Sequence, residues 1–119
     1  MPEQLPEIQG KIPDSKEEVW VANALYELGI PFVFQWSIAG GMHVRMGRII
    51  DFLLYPQQPN EQPLEVYGNY WHENELPGGD LIRVKQIEQH FGKELLIMWA
   101  DDIVDQTTAK RWLKQEVLI

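Results

Sequence analysis

Apolar residues at helical spacing mark the first regular element of the chain. The spaced residues are Val19, Ala22, Leu25, Tyr26 and Leu28. Intervals of three and four residues are typical of a helix with one apolar face. Ser15 stands three residues before Glu18, which is the spacing of a capping box, and Gly29 followed by Pro31 is a common helix stop. The pattern therefore predicts a helix that is capped at Ser15 and ends at Gly29.

The segment after this helix is rich in β-forming residues. Residues 31–40, PFVFQWSIAG, stop at a Gly-Gly pair, and residues 43–55 carry a second, split strand. The proline-rich residues 56–63 predict a loop, and residues 64–71, LEVYGNYW, predict a third strand. Gly68 inside this third run is typical of a bulge or of a close approach by another part of the chain. Two or three such strands can form a meander.

The second half of the chain continues with helix, strand and helix. Residues 80–92 have apolar positions at helical spacing and end at Gly92, and residues 93–100, KELLIMWA, are typical of a strand covered on both faces. Residues 107–119 predict a last helix, capped by one of its two threonines. Further N-cap candidates before this helix are Asp101, Asp102 and Asp105. The order of elements predicts an α/β domain with one mixed sheet and helices against its faces.

The length of the chain suits one folding unit. Residues 1–14 contain prolines and little periodicity, so they predict an irregular arm, and residues 15–119 predict a single domain. No stretch approaches the ~20 uninterrupted apolar residues of a membrane span. The first ten residues lack the basic start and apolar core of a secretory signal. We therefore expect a soluble, cytoplasmic protein that has no membrane partner.

Composition narrows the chemistry of any site. The chain contains no cysteine, which excludes disulfides, thiolate nucleophiles and cysteine-ligated zinc. The formal net charge of -8 argues against nonspecific binding to nucleic acid, because such binding depends on Lys and Arg. Basic residues gather at 43–48, 83–86 and 110–114. A basic face beside an acidic site is compatible with this pattern, although hydrated surface charge is the simpler interpretation.

Three carboxylates have strongly apolar sequence neighbours. Asp51 stands between the runs RII and FLLY, Glu65 lies inside the third predicted strand, and Glu18 lies on the first predicted helix. A carboxylate within a strand either alternates outward to water or is buried at a large cost unless it is paired or bound to a cation. Outward alternation is the simpler interpretation for each residue taken alone.

Asp51 and Glu65 together favour a different interpretation. A loop of hairpin length separates them, so two adjacent strands can present both carboxylates side by side at one end of the sheet. Mg²⁺ and Mn²⁺ prefer such oxygen ligands. A metal held in this way lowers the pKa of a bound water and neutralises charge on a phosphoryl group. The chemistry that this pair implies is hydrolysis of a phosphodiester bond.

Four motifs follow one another along the chain: GRIIDFLL, LEVYGNYWH, DLIRVKQIEQHFG and LLIMWADDI. Their order resembles the PD-(D/E)XK restriction-endonuclease-like superfamily, and within it the compact branch that includes very-short-patch-repair-type endonucleases. The matching positions are Glu18, Asp51, Glu65 with Gly68, Trp71 with His72, Asp80 with Arg83, and Trp99. The resemblance spans about residues 15–104. It implies a three-layer sandwich whose central mixed sheet is flanked by helices.

The resemblance implies a metal-dependent nuclease core. In that interpretation Asp51 and Glu65 bind Mg²⁺ or Mn²⁺, the backbone carbonyl of Val66 adds a third oxygen, and Glu18 orders water or metal. The superfamily pattern places a lysine two residues after the second acid, and this chain has Tyr67 there. Tyrosine, with an ordinary pKa of ~10, cannot replace an ammonium group as a charged stabiliser and is a poor base at neutral pH.

Two other side chains are candidates to replace that lysine. His72 would act as a general base or acid, as imidazoles do in the repair-type branch; alternatively it caps a strand and bonds to Asp80 or a backbone carbonyl. Lys85, two residues after Arg83, would supply positive charge from the next helix. The candidate contacts to DNA phosphates are Arg45, Arg48 and Arg83.

The sequence as a whole favours a small Mg²⁺-dependent DNA endonuclease without an organic cofactor. A homodimer that cuts both strands is attractive on symmetry grounds. The alternative is a catalytically inactive relative that acts as a nucleic-acid-binding or protein-interaction module, which Tyr67 and the acidic net charge favour. A structural or assembly protein is a third class, and its oligomer interface would cover the region of Glu18, Asp51 and Glu65.

Overall fold

Four strands and three helices make up the described part of the chain, which in this computed structural model comprises residues 4–37, 49–68 and 78–118. The helices are α1 (Lys16–Leu28), α2 (Gly78–Phe91) and α3 (Gln106–Glu116). The strands are β1 (Phe32–Ser37), β2 (Ile49–Leu54), β3 (Gln62–Tyr67) and β4 (Leu96–Trp99), and a 3-10 helix, Ala100–Asp102, follows β4. The order of elements is the one that the hydrophobic pattern predicts.

The strands form one mixed sheet in the order β1-β2-β3-β4. β1 pairs with β2 and β2 with β3 in antiparallel fashion, which confirms the predicted meander. β4 pairs with β3 in parallel, so the connection between them must cross over, and α2 lies in that connection. The prediction of an α/β domain with a mixed sheet is confirmed for the described residues.

The helices cover both faces of this sheet. On one face α1 and α3 share a core with Phe34, Phe52 and Leu64, all with no exposed surface. On the other face Ile87 of α2 packs in a smaller core with Ile50 and Leu53. The sheet therefore lies between two helical layers. A side chain on any strand points either into one of these two cores or to the margin of a core.

Local capping chemistry sets the ends of α1. Ser15 accepts a hydrogen bond from the backbone N–H of Glu18 at 3.3 Å, and Gly29 ends the helix in the left-handed region with φ 70°. The predicted capping box is only half formed, because the Glu18 carboxylate accepts from the backbone N–H of Asp14 at 3.1 Å, one residue before the cap. Glu18 is thereby turned toward the chain that enters the helix.

The start of α3 differs from the prediction of a threonine cap and confirms Asp105, one of the aspartate candidates, as the N-cap. Asp105 is the N-cap, and its side chain accepts from the N–H of Thr108 at 2.9 Å, while the Thr108 hydroxyl accepts from the N–H of Asp105 at 3.1 Å. The threonine prediction was wrong because Thr107 and Thr108 both lie within the first turn. The aspartate places negative charge at a helix N-terminus, where it is favourable.

β3 begins earlier than predicted. Gln62 and Pro63 belong to the strand, and Pro63 lies opposite Leu53 in the register with β2. Proline donates no hydrogen bond to a ladder, which explains why its sequence pattern indicated a loop. The described part of β3 ends at Tyr67, and a Cβ added at Gly68 would meet no atom of the described residues within 4 Å. The predicted bulge at Gly68 also involves residues 69–71, which lie outside the described residues, so it stays a prediction.

The arm before α1 covers the edge of the sheet. Its described residues, 4–14, contain no helix or longer strand, only an isolated bridge between Ile8 and Lys11 around the left-handed pair Gln9 (φ 52°) and Gly10 (φ 80°). The Gln9 side-chain amide donates to the carbonyl of Phe32 at 2.9 Å and accepts from the N–H of Phe34 at 2.8 Å. One side chain thus pairs with the open edge of β1 as a neighbouring strand would.

Replacing Gln9 by alanine is expected to lower the free energy of unfolding by about 1–2 kcal/mol, because two hydrogen bonds to the edge of β1 are lost. Urea denaturation of the variant measures this loss. Gln115→Ala, at an exposed position of α3, is the matched control and should change stability by less than about 0.5 kcal/mol. Equal effects of the two substitutions would contradict a specific role for Gln9.

Among the described helices, none has the length and apolar content needed to cross a membrane.

Candidate functional site

The site lies where β2 and β3 part. Their backbone register runs from Leu54↔Gln62 to Phe52↔Leu64. One residue further, Asp51 would stand opposite Glu65, but here the Asp51 side chain takes part in the pairing: its Oδ2 accepts from the backbone N–H of Val66 at 2.9 Å. A carboxylate therefore occupies a position where a strand backbone would normally supply the acceptor.

Asp51 and Glu18 line one cleft of about 500 Å³ at this end of the sheet. The lining residues are Asp14, Ser15, Glu17, Glu18, Asp51, Val66, Tyr67, Gly68 and Ala100. They come from the start of α1, from β2, from the end of β3 and from the segment after β4. Four of them are carboxylates, so the wall of the cleft carries a high density of negative charge.

Burial makes the charges in this cleft costly. Burial first, and then the negative charge of Glu65, raises the pKa of Asp51 to about 7, while the hydrogen bond from Val66 partly opposes the shift. Glu18 adds a smaller repulsion and Arg83 a small attraction. Burial also raises the pKa of Glu18, which is 5% exposed, against the effect of its bond from Asp14. A cation placed between the two acids would relieve part of this cost.

Glu65 has a different environment from Asp51. Its sequence neighbours Leu64 and Val66 both belong to the core beneath α1 and α3, so Glu65 faces α2. There the guanidinium of Arg83 donates to both of its carboxylate oxygens, with the second bond at 2.6 Å. Glu65 is 2% exposed, and this paired hydrogen bonding raises the pKa of Arg83.

Arg83 also bonds to β2. The guanidinium donates to the backbone carbonyl of Ile49 at 2.6 Å, so one side chain of α2 reaches both separated strands. The sequence predicted that Arg83 contacts DNA phosphates, whereas in this structure its donors are directed to Glu65 and Ile49. The residues around Arg83 in the sequence do not indicate its ion pair with Glu65, because Glu65 lies 18 positions away.

Tyr67 lies at the margin of the cleft, at the position where the superfamily pattern has lysine. Its hydroxyl donates to Glu65 at 3.4 Å, a long bond, and its ring meets the ring of Trp99 edge to face at 5.4 Å between centroids. The phenol ring therefore packs against Trp99 of β4 and brings no positive charge to Asp51.

The structure brings together only part of the predicted site. Asp51, Glu18 and Val66 share the cleft, whereas Glu65 does not line it and is bound by Arg83. Asp51 lines the cleft beside α1 and Glu65 faces α2, yet the charge of Glu65 raises the pKa of Asp51 more than the charge of Glu18 does, so the two predicted acids still interact. The predicted site residues that lie outside the described residues are His72, Arg45 and Arg48.

Lys85 also lies away from the cleft. It is exposed and lines a separate surface pocket beside α2, together with Glu88, Gln89 and Lys93. Two residues beyond Arg83 correspond to about 200° around a helix, so a side chain at 85 points away when the one at 83 points to the sheet. The helical period in the sequence already contained this information.

Sequence reasoning missed Asp14 and Glu17, which complete the acidic wall of the cleft. Both are close to Glu18 in the chain, and acids in the first turn of a helix are common for electrostatic reasons alone. Asp14 and Glu17 belong to the site only because the N-terminus of α1 lies beside Asp51. This is a tertiary contact, which local sequence patterns do not predict.

The donor set fits a hard cation that keeps several of its waters. Among the described side chains, those of residues 4–37, 49–68 and 81–118, no three His, Cys, Asp or Glu converge as a metal-ligand group. Mg²⁺ is commonly bound by one or two carboxylates and completes its octahedral shell with water or substrate oxygens. Asp51 and Glu18, both oxygen donors with unfavourably buried charge, meet this requirement.

No family model, curated protein or solved structure matches this chain. The relation to the restriction-endonuclease-like superfamily stays a prediction from the motifs.

Proposed function

We propose that this domain is a divalent-metal-dependent DNA endonuclease of the restriction-endonuclease-like class. One observation supports it above others: Asp51 is a half-buried carboxylate at the wall of an open acidic cleft, with the buried Glu18 beside it and a pKa raised to about 7. Such an arrangement is unfavourable for a purely structural acid, because each buried charge increases the cost of the other. Perturbed acids in a cleft are characteristic of functional sites.

The residues of the cleft have distinct roles in this proposal. Asp51 is the direct ligand of Mg²⁺ or Mn²⁺, and Glu18 is a second ligand or orders water around the ion. The bound metal would supply charge neutralisation at the phosphoryl group and a water of lowered pKa. The bond from Val66 N–H holds Asp51 in position, and Tyr67 and Gly68 line the same cleft.

A nuclease assay with single substitutions tests the proposal. Supercoiled, nicked, branched and mismatched DNA are incubated with the protein and Mg²⁺ or Mn²⁺. Glu18→Gln is expected to lower the cleavage rate by about 10-fold or more, and Asp51→Asn, which changes the direct ligand, by about 100-fold or more, because loss of a residue that only supports a metal ligand already costs about 10- to 100-fold. Both substitutions keep the size of the side chain, so loss of folding is not the expected cause.

Two controls sharpen this assay. Asp102→Asn and Glu116→Gln make the same chemical changes at exposed positions outside the cleft and should leave the rate unchanged. Cleavage that survives in Asp51→Asn, or that survives chelation of divalent ions, would show that the activity does not come from this cleft.

A noncatalytic binding module is the second candidate function. It is favoured by Tyr67 at the lysine position and by the pairing of Glu65 with Arg83, which together leave the cleft without a described cation aimed into it. Calorimetry separates the two functions. The nuclease proposal expects Mn²⁺ binding that Asp51→Asn abolishes, and the binding-module alternative expects no such binding.

A further inference from the structure

Arg83 joins three elements beyond the point where the pairing of β2 and β3 ends. Its guanidinium comes from α2, donates to the carbonyl of Ile49 on β2 at 2.6 Å, and holds both carboxylate oxygens of Glu65 on β3. The register between β2 and β3 stops at Phe52↔Leu64. Arg83 therefore links the two strands where their own ladder does not.

Asp51 crosses the same gap next to this link. It is on β2, between Ile49 and the paired part of the strand, and its carboxylate reaches the N–H of Val66, the residue after Glu65. The two connections are adjacent: Ile49 to Glu65 through the guanidinium, and Asp51 to Val66 directly. The distance between the strands decides whether a short aspartate side chain can make the second connection.

We propose that Arg83 is a positioning residue of the metal site, whose bridge from Ile49 to Glu65 fixes the separation of β2 and β3 and thereby holds the Asp51 carboxylate at the cleft. This inference rests on the proposed function. It also gives Arg83 a role other than the predicted contact with DNA, because the guanidinium is 22% exposed and its donors serve the protein.

The burial of the pair supports a geometric role. The Glu65 side chain is 3% exposed, and a fork-to-fork contact between guanidinium and carboxylate fixes distance and orientation together. A lysine would provide charge at this position but not two parallel hydrogen bonds. A bridge to both strands thus needs the planar group that arginine supplies.

The test uses the double variant E65L/R83M. It removes one negative and one positive charge, so the net charge of the protein is unchanged, and an apolar pair can replace a buried ion pair without loss of folding. Asp51 loses more repulsion from Glu65 than attraction from Arg83, so the Val66 amide is the readout that decides the positioning role. The first readout is amide hydrogen exchange at Val66, measured by NMR without metal. The second is the dissociation constant for Mn²⁺, measured by calorimetry.

We expect the protection of the Val66 amide to fall by about 10-fold in E65L/R83M, since a native hydrogen bond loses its support. The control is the Phe34 amide, which also donates to a side chain, that of Gln9, and should keep its protection. The Mn²⁺ dissociation constant should rise by about 10-fold or more, as is typical when a residue that orients a metal ligand is lost. If the double variant does not fold, R83K serves for the same two measurements and should shift both in the same direction.

The outcomes separate this inference from the function on which it rests. Unchanged protection of Val66 in a folded variant overturns the positioning role, whatever the protein does with DNA. Loss of protection at Val66, with Phe34 unaffected, supports it. If the wild-type protein neither binds Mn²⁺ nor cleaves DNA, the proposed function fails, and the exchange at Val66 still decides whether Arg83 positions Asp51.

Discussion

Arg83→Met is expected to lower the free energy of unfolding by about 3–5 kcal/mol, the range for breaking a buried ion pair by removing one partner. The loss comes from Glu65, whose side chain is 3% exposed and would be left without the partner of its buried carboxylate. The Ile49 carbonyl would also lose its bond from the guanidinium. Urea denaturation near neutral pH, followed by circular dichroism, measures the change.

Two comparisons test the cause of that loss. Arg111→Met removes an exposed arginine from α3 and should cost less than about 0.5 kcal/mol. E65L/R83M should regain most of the lost stability, because replacing both partners leaves no buried charge unpaired. If Arg83→Met and Arg111→Met had equal effects, the pair with Glu65 would contribute little to the fold.

The ends of the helices were predictable because capping is local. Ser15, Gly29 and Gly92 act on backbone groups within one helical turn, so their residue types in the sequence carry most of the information. The cap of α3 needed a choice among neighbouring polar residues, Asp105 against Thr107 and Thr108. The sequence contained all three residues, but it did not show which of them lies before the first turn of the helix.

The faces of the sheet were less predictable. Strict alternation would put Trp36 on the same face as Phe34, yet Phe34 lies in the core beneath α1 and α3 and Trp36 packs with the core beneath α2. The backbone of Gln35, between them, is left-handed with φ 54°. A left-handed glutamine within a strand has no sequence signal, because its cost is offset only by the surrounding fold.

The same change of face occurs on β2 and decides the site. Phe52 lies in the larger core and Ile50 in the smaller one, so Asp51 is the residue at which β2 changes face. Glu65 keeps the regular alternation of β3 and faces α2. The sequence therefore identified both acids as unusual and predicted that they lie side by side, but it did not show the change of face that turns Asp51 to the cleft while Glu65 faces α2.

Removing the charge of Asp51 is expected to change how stability depends on pH. The pKa of Asp51 is raised from an ordinary value of 3.8 to about 7, so between these values the folded state binds a proton that the unfolded state has released. The free energy of unfolding therefore falls as pH rises through this window and levels off above it. Burial and the charge of Glu65 are the main causes, with Glu18 repelling and Arg83 and the Val66 N–H opposing.

The size of the effect follows from the shift. Each pKa unit is worth about 1.4 kcal/mol, and partial exposure of Asp51 reduces the total, so we expect about 2–4 kcal/mol between about pH 4 and about pH 8. Asp51→Asn keeps an oxygen that can accept from Val66 but has no charge to titrate. It should therefore be more stable than the wild type at about pH 8, with the advantage gone at about pH 4.

The measurement is urea denaturation of both proteins across this range, in the presence of a chelator so that no divalent ion contributes. Other acids also contribute to the pH dependence of stability in this range. Their contributions cancel in the difference between the wild type and Asp51→Asn, except for acids that contact Asp51. A pH-independent difference would contradict a raised pKa for Asp51. Adding Mn²⁺ at about pH 8 should then stabilise the wild type and not Asp51→Asn, because a ligand stabilises only the protein that binds it. The negative charge of Asp51 would thus destabilise the folded state when no metal is bound, and the same charge would give the cleft its affinity for a cation.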